Sequence, residues 1–148
     1  MDERSERNIA TLKPEVQPLA KRLIEEGVKR GINVKVIGGT RTYEEQNDLY
    51  AIGRTKQKNK PVVTKARGGQ SLHNFGLAFD VGVFSEDGKT YHGEHPDYET
   101  LGPIGESLGL EWGGRWKFVD FPHYQFNPQR LSLAQMRERT ESGQDLFT

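Results

Sequence analysis

Eight consecutive residues, Leu77 to Phe84, constrain this chain more than any others. They are apolar, include the β-branched Val81 and Val83, and contain one charged residue, Asp80. A short run of this kind reads as a central β-strand. A carboxylate inside such a strand is costly to bury and calls for a partner.

The flanks supply the other elements. Val16, Leu19, Ala20, Leu23, Ile24 and Val28 recur at helical spacing, which predicts an amphipathic helix over about 14–30, ending at Gly31. Asn33 to Ile37 alternates and then loses its polar face, as a short strand does before Gly38-Gly39 breaks it. Thr42 and Glu45 have capping-box spacing and open a helix to about Ile52, with Gly53 as its stop. Residues 54–69 show little periodicity and read as a loop, with a candidate strand at Val62-Val63. Ser85 to Gly88 is a turn. Tyr98, Leu101, Ile104 and Leu108 predict a helix whose start Gly102-Pro103 would delay. Short strands are expected at Trp116–Val119 and His123–Phe126. Ser132 and Gln135 form a second capping box, with Leu131 and Met136 as a hydrophobic staple, before a last helix. Helices mixed with short, non-alternating strands favour an α+β fold over a doubly wound sheet.

Composition narrows the function classes. The chain has 148 residues, the length of one domain spanning 1–148, and 33% of them are hydrophobic. A domain this size buries roughly 68–70% of its unfolded surface. With 17 glycines, a modest core and many shaped loops are expected. Twenty-one basic residues balance 21 acidic ones, which argues against nucleic acid as a partner, since that needs a basic face. No apolar run approaches the ~18 residues of a membrane span. The amino terminus, Met1 to Arg7, is polar and of mixed charge, with no signal-peptide stretch. The chain is therefore expected to be made in the cytoplasm. Cysteine is absent, so disulfides, thiolate metal sites and Cys nucleophiles are excluded, and any metal must be held by nitrogen and oxygen.

Four histidines remain as candidates: His73, His92, His95 and His123. His73 lies on a glycine-containing loop seven residues before Asp80. A loop can turn its imidazole back over the strand toward the point where Asp80 projects. His123 follows Asp120 by three residues. Two imidazoles and one carboxylate leave the fourth position of a tetrahedral zinc to water, the catalytic arrangement. The remaining carboxylate can then move the proton. Spacing by itself also admits a surface histidine and an aspartate that ends a strand. His92 and His95, in a polar, glycine-bearing stretch, read as solvated.

At this point the residues carry a resemblance. Ser71 to Asp80 matches S-x-H-x-x-G-x-A-x-D, and Asp120 to His123 matches D-x-x-H. The pair resembles the zinc peptidases of bacterial cell-wall peptides: VanY-type D-Ala–D-Ala carboxypeptidases and, closer, phage and bacterial L-alanyl–D-glutamate endopeptidases. The likeness extends to Gly39 to Gln46 and Gly109 to Gly114, covering about 10–127. It implies a small antiparallel sheet flanked by helices, a zinc fold of the hedgehog and DD-peptidase type. It also implies one Zn2+ per chain on His73, Asp80 and His123, with Asp120 as general base and acid. Arg41 corresponds to the family's arginine near the scissile carbonyl, the alternative being a salt bridge to Glu44 or Glu45. Ser71 supports the site through hydrogen bonds, or is ordinary loop chemistry. Trp112 walls the substrate cleft or belongs to the core. The carboxypeptidase branch generally carries Glu where this chain has Asp120. The shorter side chain therefore points to the L-Ala–D-Glu bond of peptidoglycan stem peptides, cut by a monomer acting on the cell wall as phage endolysins do. The alternatives are a D-Ala–D-Ala carboxypeptidase and a non-catalytic, zinc-bearing wall-binding module. The basic stretch Arg54, Lys56, Lys58, Lys60, Lys65 and Arg67 is either a solvated loop or a mouth for an acidic partner.

Overall fold

The central strand expected over Leu77–Phe84 forms: the computed structural model, which describes residues 1–148, puts β2 (Ala78–Phe84) in the middle of an antiparallel sheet. The strand order is β1 (Asn33–Gly38), β2, β5 (His123–Gln125), β4 (Glu111–Trp112), and the short β3 (Tyr91–His92) pairs with the end of β2. Side chains alternate across a sheet, so its two faces have different fates. Phe79, Val81 and Val83 of β2, with Tyr124 and Trp112, point into the core and are at most 3% exposed. Asp80, His123, Gln125 and Glu111 take the opposite face by register.

Helices α2 (Gln17–Lys29) and α4 (Asp97–Ser107) cover the core face. Both approach through glycine. A Cβ on Gly27 would stand 2.8 Å from Leu101 and from Val34, and Gly102 and Gly105 lie flat against Trp112 and Tyr124. The helix α1 (Glu3–Ala10) closes the free edge of β1. Its Ser5 hydroxyl accepts from Val36 N–H at 2.9 Å, and Asn8 donates to Val36 C=O at 2.8 Å. A bare strand edge is thereby covered by two polar side chains. Sequence periodicity missed α1, because only Ile9 among its apolar residues reaches the core.

The capping boxes at Thr42 and Ser132 form as expected and open α3 (Tyr43–Ala51) and α5 (Leu133–Ser142). The staple residues Leu131 and Met136 are both buried. Three expectations need correction. Val62 and Val63 form no strand and are 48% and 57% exposed. Their loop is held by side chains instead: Arg54 donates to Thr64 C=O and Gln46 to Ala66 C=O. Trp116–Val119 is not a strand either. Gly113–Arg115 forms a 3-10 turn, and the pairing with β5 is made earlier, at Glu111–Trp112. Finally, α4 starts at Asp97, ahead of Gly102-Pro103. Proline deprives the carbonyl four residues back of its donor, but that residue, Glu99, is exposed to water.

Candidate active site

Asp80 and His123 are direct partners in the register of β2 and β5, so their side chains rise side by side from the sheet. His73 arrives from the 3-10 turn Leu72–Phe75. Ser71 opens that turn by accepting from His73 N–H at 3.2 Å, and Gly76 closes it at φ +74°, a conformation that favours glycine. Asn74 donates to Arg41 C=O at 3.0 Å, and Arg41 N–H donates to His73 C=O at 2.9 Å. The turn and the loop after β1 thus hold each other.

The three side chains converge. His73 Nε2 lies 3.4 Å from Asp80 Oδ2, and His123 Nδ1 lies 3.3 Å from Asp80 Oδ1. One donor atom from each residue falls within 4.8 Å of the other two. The far nitrogen of each ring is already committed. His73 Nδ1–H donates to Gly39 C=O at 2.9 Å, and His123 Nε2–H donates to the Gln125 side-chain carbonyl at 2.8 Å. Each neutral ring therefore turns a lone pair toward Asp80, the orientation that outer hydrogen bonds impose on metal-binding histidines. Two lone pairs and a carboxylate aimed at one point call for a cation between them. Burial raises the Asp80 carboxyl, but where His123 and His73 carry a proton on the nitrogen facing it, their hydrogen bonds and charge outweigh burial and hold the group well below the usual carboxylate range. Burial lowers His123, yet Asp80 outweighs that and raises it. An N,N,O donor set with both histidines buried and no thiolate in the chain suits zinc.

Asp120 lies at the solvent edge of this group. Its turn is docked on the 3-10 turn through Asp120 N–H donating to Gly113 C=O at 3.0 Å, while His123 N–H donates to Asp120 C=O at 3.2 Å. Although the residue is exposed, partial burial of its carboxyl against this group raises its pKa. The charge of Asp80 adds to that, and His123, His73 and Arg41 only partly offset it. Arg41 does not pair with Glu44 or Glu45. Its guanidinium lies 3.2 Å from Asp80 Oδ2 and 3.3 Å from Gln46 Oε1. Glu45 is taken up by the capping box with Thr42, and Gln46 is fully buried.

A model of the D-alanyl-D-alanine carboxypeptidase family M15 matches residues 64–126, the stretch that contains all three converging residues and Asp120. The peptidoglycan L-alanyl-D-glutamate endopeptidase CwlK of Bacillus subtilis is 40% identical over 126 residues, which cover 79% of this chain and 74% of that protein. The chain belongs to the M15 peptidases. An L-alanyl-D-glutamate peptidase of a Listeria phage is 30% identical over 84% of this chain, which spans only 41% of the phage protein. The L-Ala D-Glu endopeptidase ChiX of Serratia marcescens has the same fold, with a TM-score of 0.60 at 23% identity over 85% of this chain and 88% of that one. A D,D-pentapeptidase VanY of a vancomycin-resistance cassette, solved with Zn(II), gives a TM-score of 0.60 at 18% identity over 91% of this chain and 81% of that one.

Within this M15 fold the other sequence candidates fall as follows. Ser71 caps the turn that carries His73. Trp112 is 3% exposed, with its indole N–H donating to Phe121 C=O at 2.8 Å, and it packs in the core while edging a groove of about 870 Å³ beside His123. His92 and His95 stand together away from the converging group, with His95 beside Asp97 at 3.3 Å. In the basic stretch, Lys56 pairs with Asp48 at 3.1 Å, and Arg54 and Arg67 lie over Tyr50. Lys65 lies over Phe118, itself 75% exposed. Gln46, Asn74 and Gln125 hold the site together and were not singled out from sequence. The position of Gln125, two residues after His123 in a predicted strand, was the available signal.

Proposed function

We propose that this chain hydrolyses the L-Ala–D-Glu bond of peptidoglycan stem peptides in the cell wall, as a monomer with one zinc ion held by His73, Asp80 and His123. The observation that carries the reading is the donor set itself: two imidazoles whose outer nitrogens are hydrogen-bonded, turned onto one carboxylate. The bond assigned follows the 40% identical relative, which is named for that cleavage. Zinc, when bound, supplies Lewis acidity and brings the pKa of water toward ~7.

The remaining work belongs to side chains. Asp120, at the edge of the group with a raised pKa, takes the proton of the attacking water and gives it to the leaving amine. A carboxyl pushed toward neutrality is suited to both transfers. Arg41, anchored by Asp80 and Gln46, keeps donors free for the oxygen that becomes negative in the tetrahedral intermediate, or for a substrate carboxylate. Ser71 acts by fixing His73, and Trp112 by walling the side of the cleft next to His123 from within the core.

The family model that matches residues 64–126 is described by D-alanyl-D-alanine carboxypeptidase activity, which makes terminal D-Ala release the second reading. Mass spectrometry of purified peptidoglycan after digestion separates the two. New D-Glu amino termini on peptides released after L-Ala are expected. Release of D-Ala alone would replace the proposed specificity with the second.

A further inference from the structure

Behind His123 the site-bearing face of the sheet continues through residues that the proposed mechanism does not use. Glu111 and Gln125 are direct cross-strand partners in β4 and β5. Gln125 Nε2–H donates to Glu111 Oε2 at 3.2 Å, and Trp116 Nε1–H donates to the same oxygen at 2.9 Å. The Trp116 ring then packs on the His123 imidazole, with centroids 5.0 Å apart. The four side chains close a loop: His123 to Gln125, Gln125 to Glu111, Glu111 to Trp116, and Trp116 back to His123.

The direction of these bonds is fixed by chemistry. An ionised carboxylate has no donor, so the end of the Gln125 amide that meets Glu111 must be its NH2. The other end, the carbonyl, therefore faces His123 Nε2 and can only accept from it. His123 then carries its proton on Nε2 and presents an unprotonated Nδ1 to Asp80. A donor at position 111 would turn the amide round, offer NH2 to Nε2, and move the ring proton to Nδ1, the nitrogen that a metal needs.

We infer that Glu111 is a positioning residue of this site: through the Gln125 amide it sets the His123 tautomer that leaves Nδ1 free for the metal, while holding Trp116 against the ring. The inference rests on His123 being a metal ligand. Loss of an outer hydrogen-bonding partner of this kind typically weakens metal binding by about 10–100-fold. Glu111 is exposed, so its replacement should leave the fold intact.

The test uses the full chain and zinc alone. Zinc affinity is measured by chelator competition. The His123 tautomer is read from imidazole 15N shifts of the metal-free protein, at a pH above the ring's titration. The variants are Glu111→Ala, Glu111→Gln, Glu111→Lys and His123→Ala. Wild type should show the Nε2–H form. Glu111→Ala should give a mixture and bind zinc about tenfold more weakly, at the low end of that range. Glu111→Gln, whose carbonyl can still accept from Gln125 and Trp116, should restore most of both. Glu111→Lys should favour Nδ1–H. An unchanged tautomer in Glu111→Ala and Glu111→Lys overturns the inference, even if zinc binding weakens, because a lost charge alone would explain the weakening. If His123→Ala retains zinc, the ligand assignment fails instead, and the tautomer data still decide what Glu111 does.

Discussion

Arg41 and His73 approach the same oxygen of Asp80: the guanidinium is 3.2 Å from Oδ2, and His73 Nε2 is 3.4 Å from it. The loop after β1 and the 3-10 turn thus meet at one carboxylate, which brings a cation of the protein and the metal donors into one cluster. If Arg41 serves the transition state and is not there to hold Asp80 in place, Arg41→Ala should keep its zinc. Turnover should fall by about 10²–10³, the usual loss of an oxyanion donor. Zinc content and hydrolysis of a soluble muropeptide, measured on one preparation, check this. Loss of metal along with activity would make Arg41 a structural partner of Asp80.

How much of this was readable beforehand depends on where each signal lies. Asp80 stands out because a lone carboxylate in an apolar strand is anomalous within a window of eight residues. His123 and Asp120 share a four-residue motif. For Arg41 the alternative partners, Glu44 and Glu45, were the near neighbours that helical spacing favours, whereas the carboxylate it meets is 39 positions away in sequence. The pairing of β4 with β5 was equally hidden: Glu111–Trp112 is two residues long and too short for any period. Helix α1 escaped because it contributes polar side chains to a strand edge and only one apolar residue to the core.

Asp120 offers the sharpest separation of chemistry from structure. Asp120→Asn keeps the side chain's size, and the backbone bonds of this turn run through main-chain atoms that the change leaves alone. Zinc content and melting temperature should stay close to wild type while kcat falls by about 10²–10⁴. An amide cannot take a proton from water, so a stable, zinc-loaded variant with near wild-type hydrolysis would require another base.

Removing the metal should be reversible, and removing a ligand should not. Chelation should abolish hydrolysis, and stoichiometric zinc should restore it. In His73→Ala the buried Gly39 carbonyl also loses its imidazole donor, so zinc cannot rescue activity and the metal-free variant should melt below metal-free wild type. Zinc binding to the native state raises stability by mass action. Calorimetry with and without zinc should therefore show a rise in Tm for wild type that is absent from His73→Ala. An equal rise in both would place the metal elsewhere.

Tyr98 tests the far side of the sheet, away from the chemistry. Its buried hydroxyl accepts from Val83 N–H at 3.1 Å and donates to His92 C=O at 2.6 Å, joining α4 to β2 and β3. Tyr98→Phe leaves the buried Val83 N–H without that partner, at a cost of about 1–3 kcal/mol. Burial pushes the Tyr98 hydroxyl up to about 12 from its ordinary 10.0. The sign follows from linkage: the folded chain holds this proton more tightly than the unfolded chain. Its contribution is complete below pH 10.0 and is lost as the pH rises through about 12. Tyr124 is raised too, first by burial, which both proteins keep, with Tyr98 as the last and smallest of its causes. The stability gap between wild type and Tyr98→Phe, from urea melts at a series of pH values, should therefore narrow above pH 10.0. A gap that stays constant to pH 12 would mean that the hydroxyl is not held protonated by the fold.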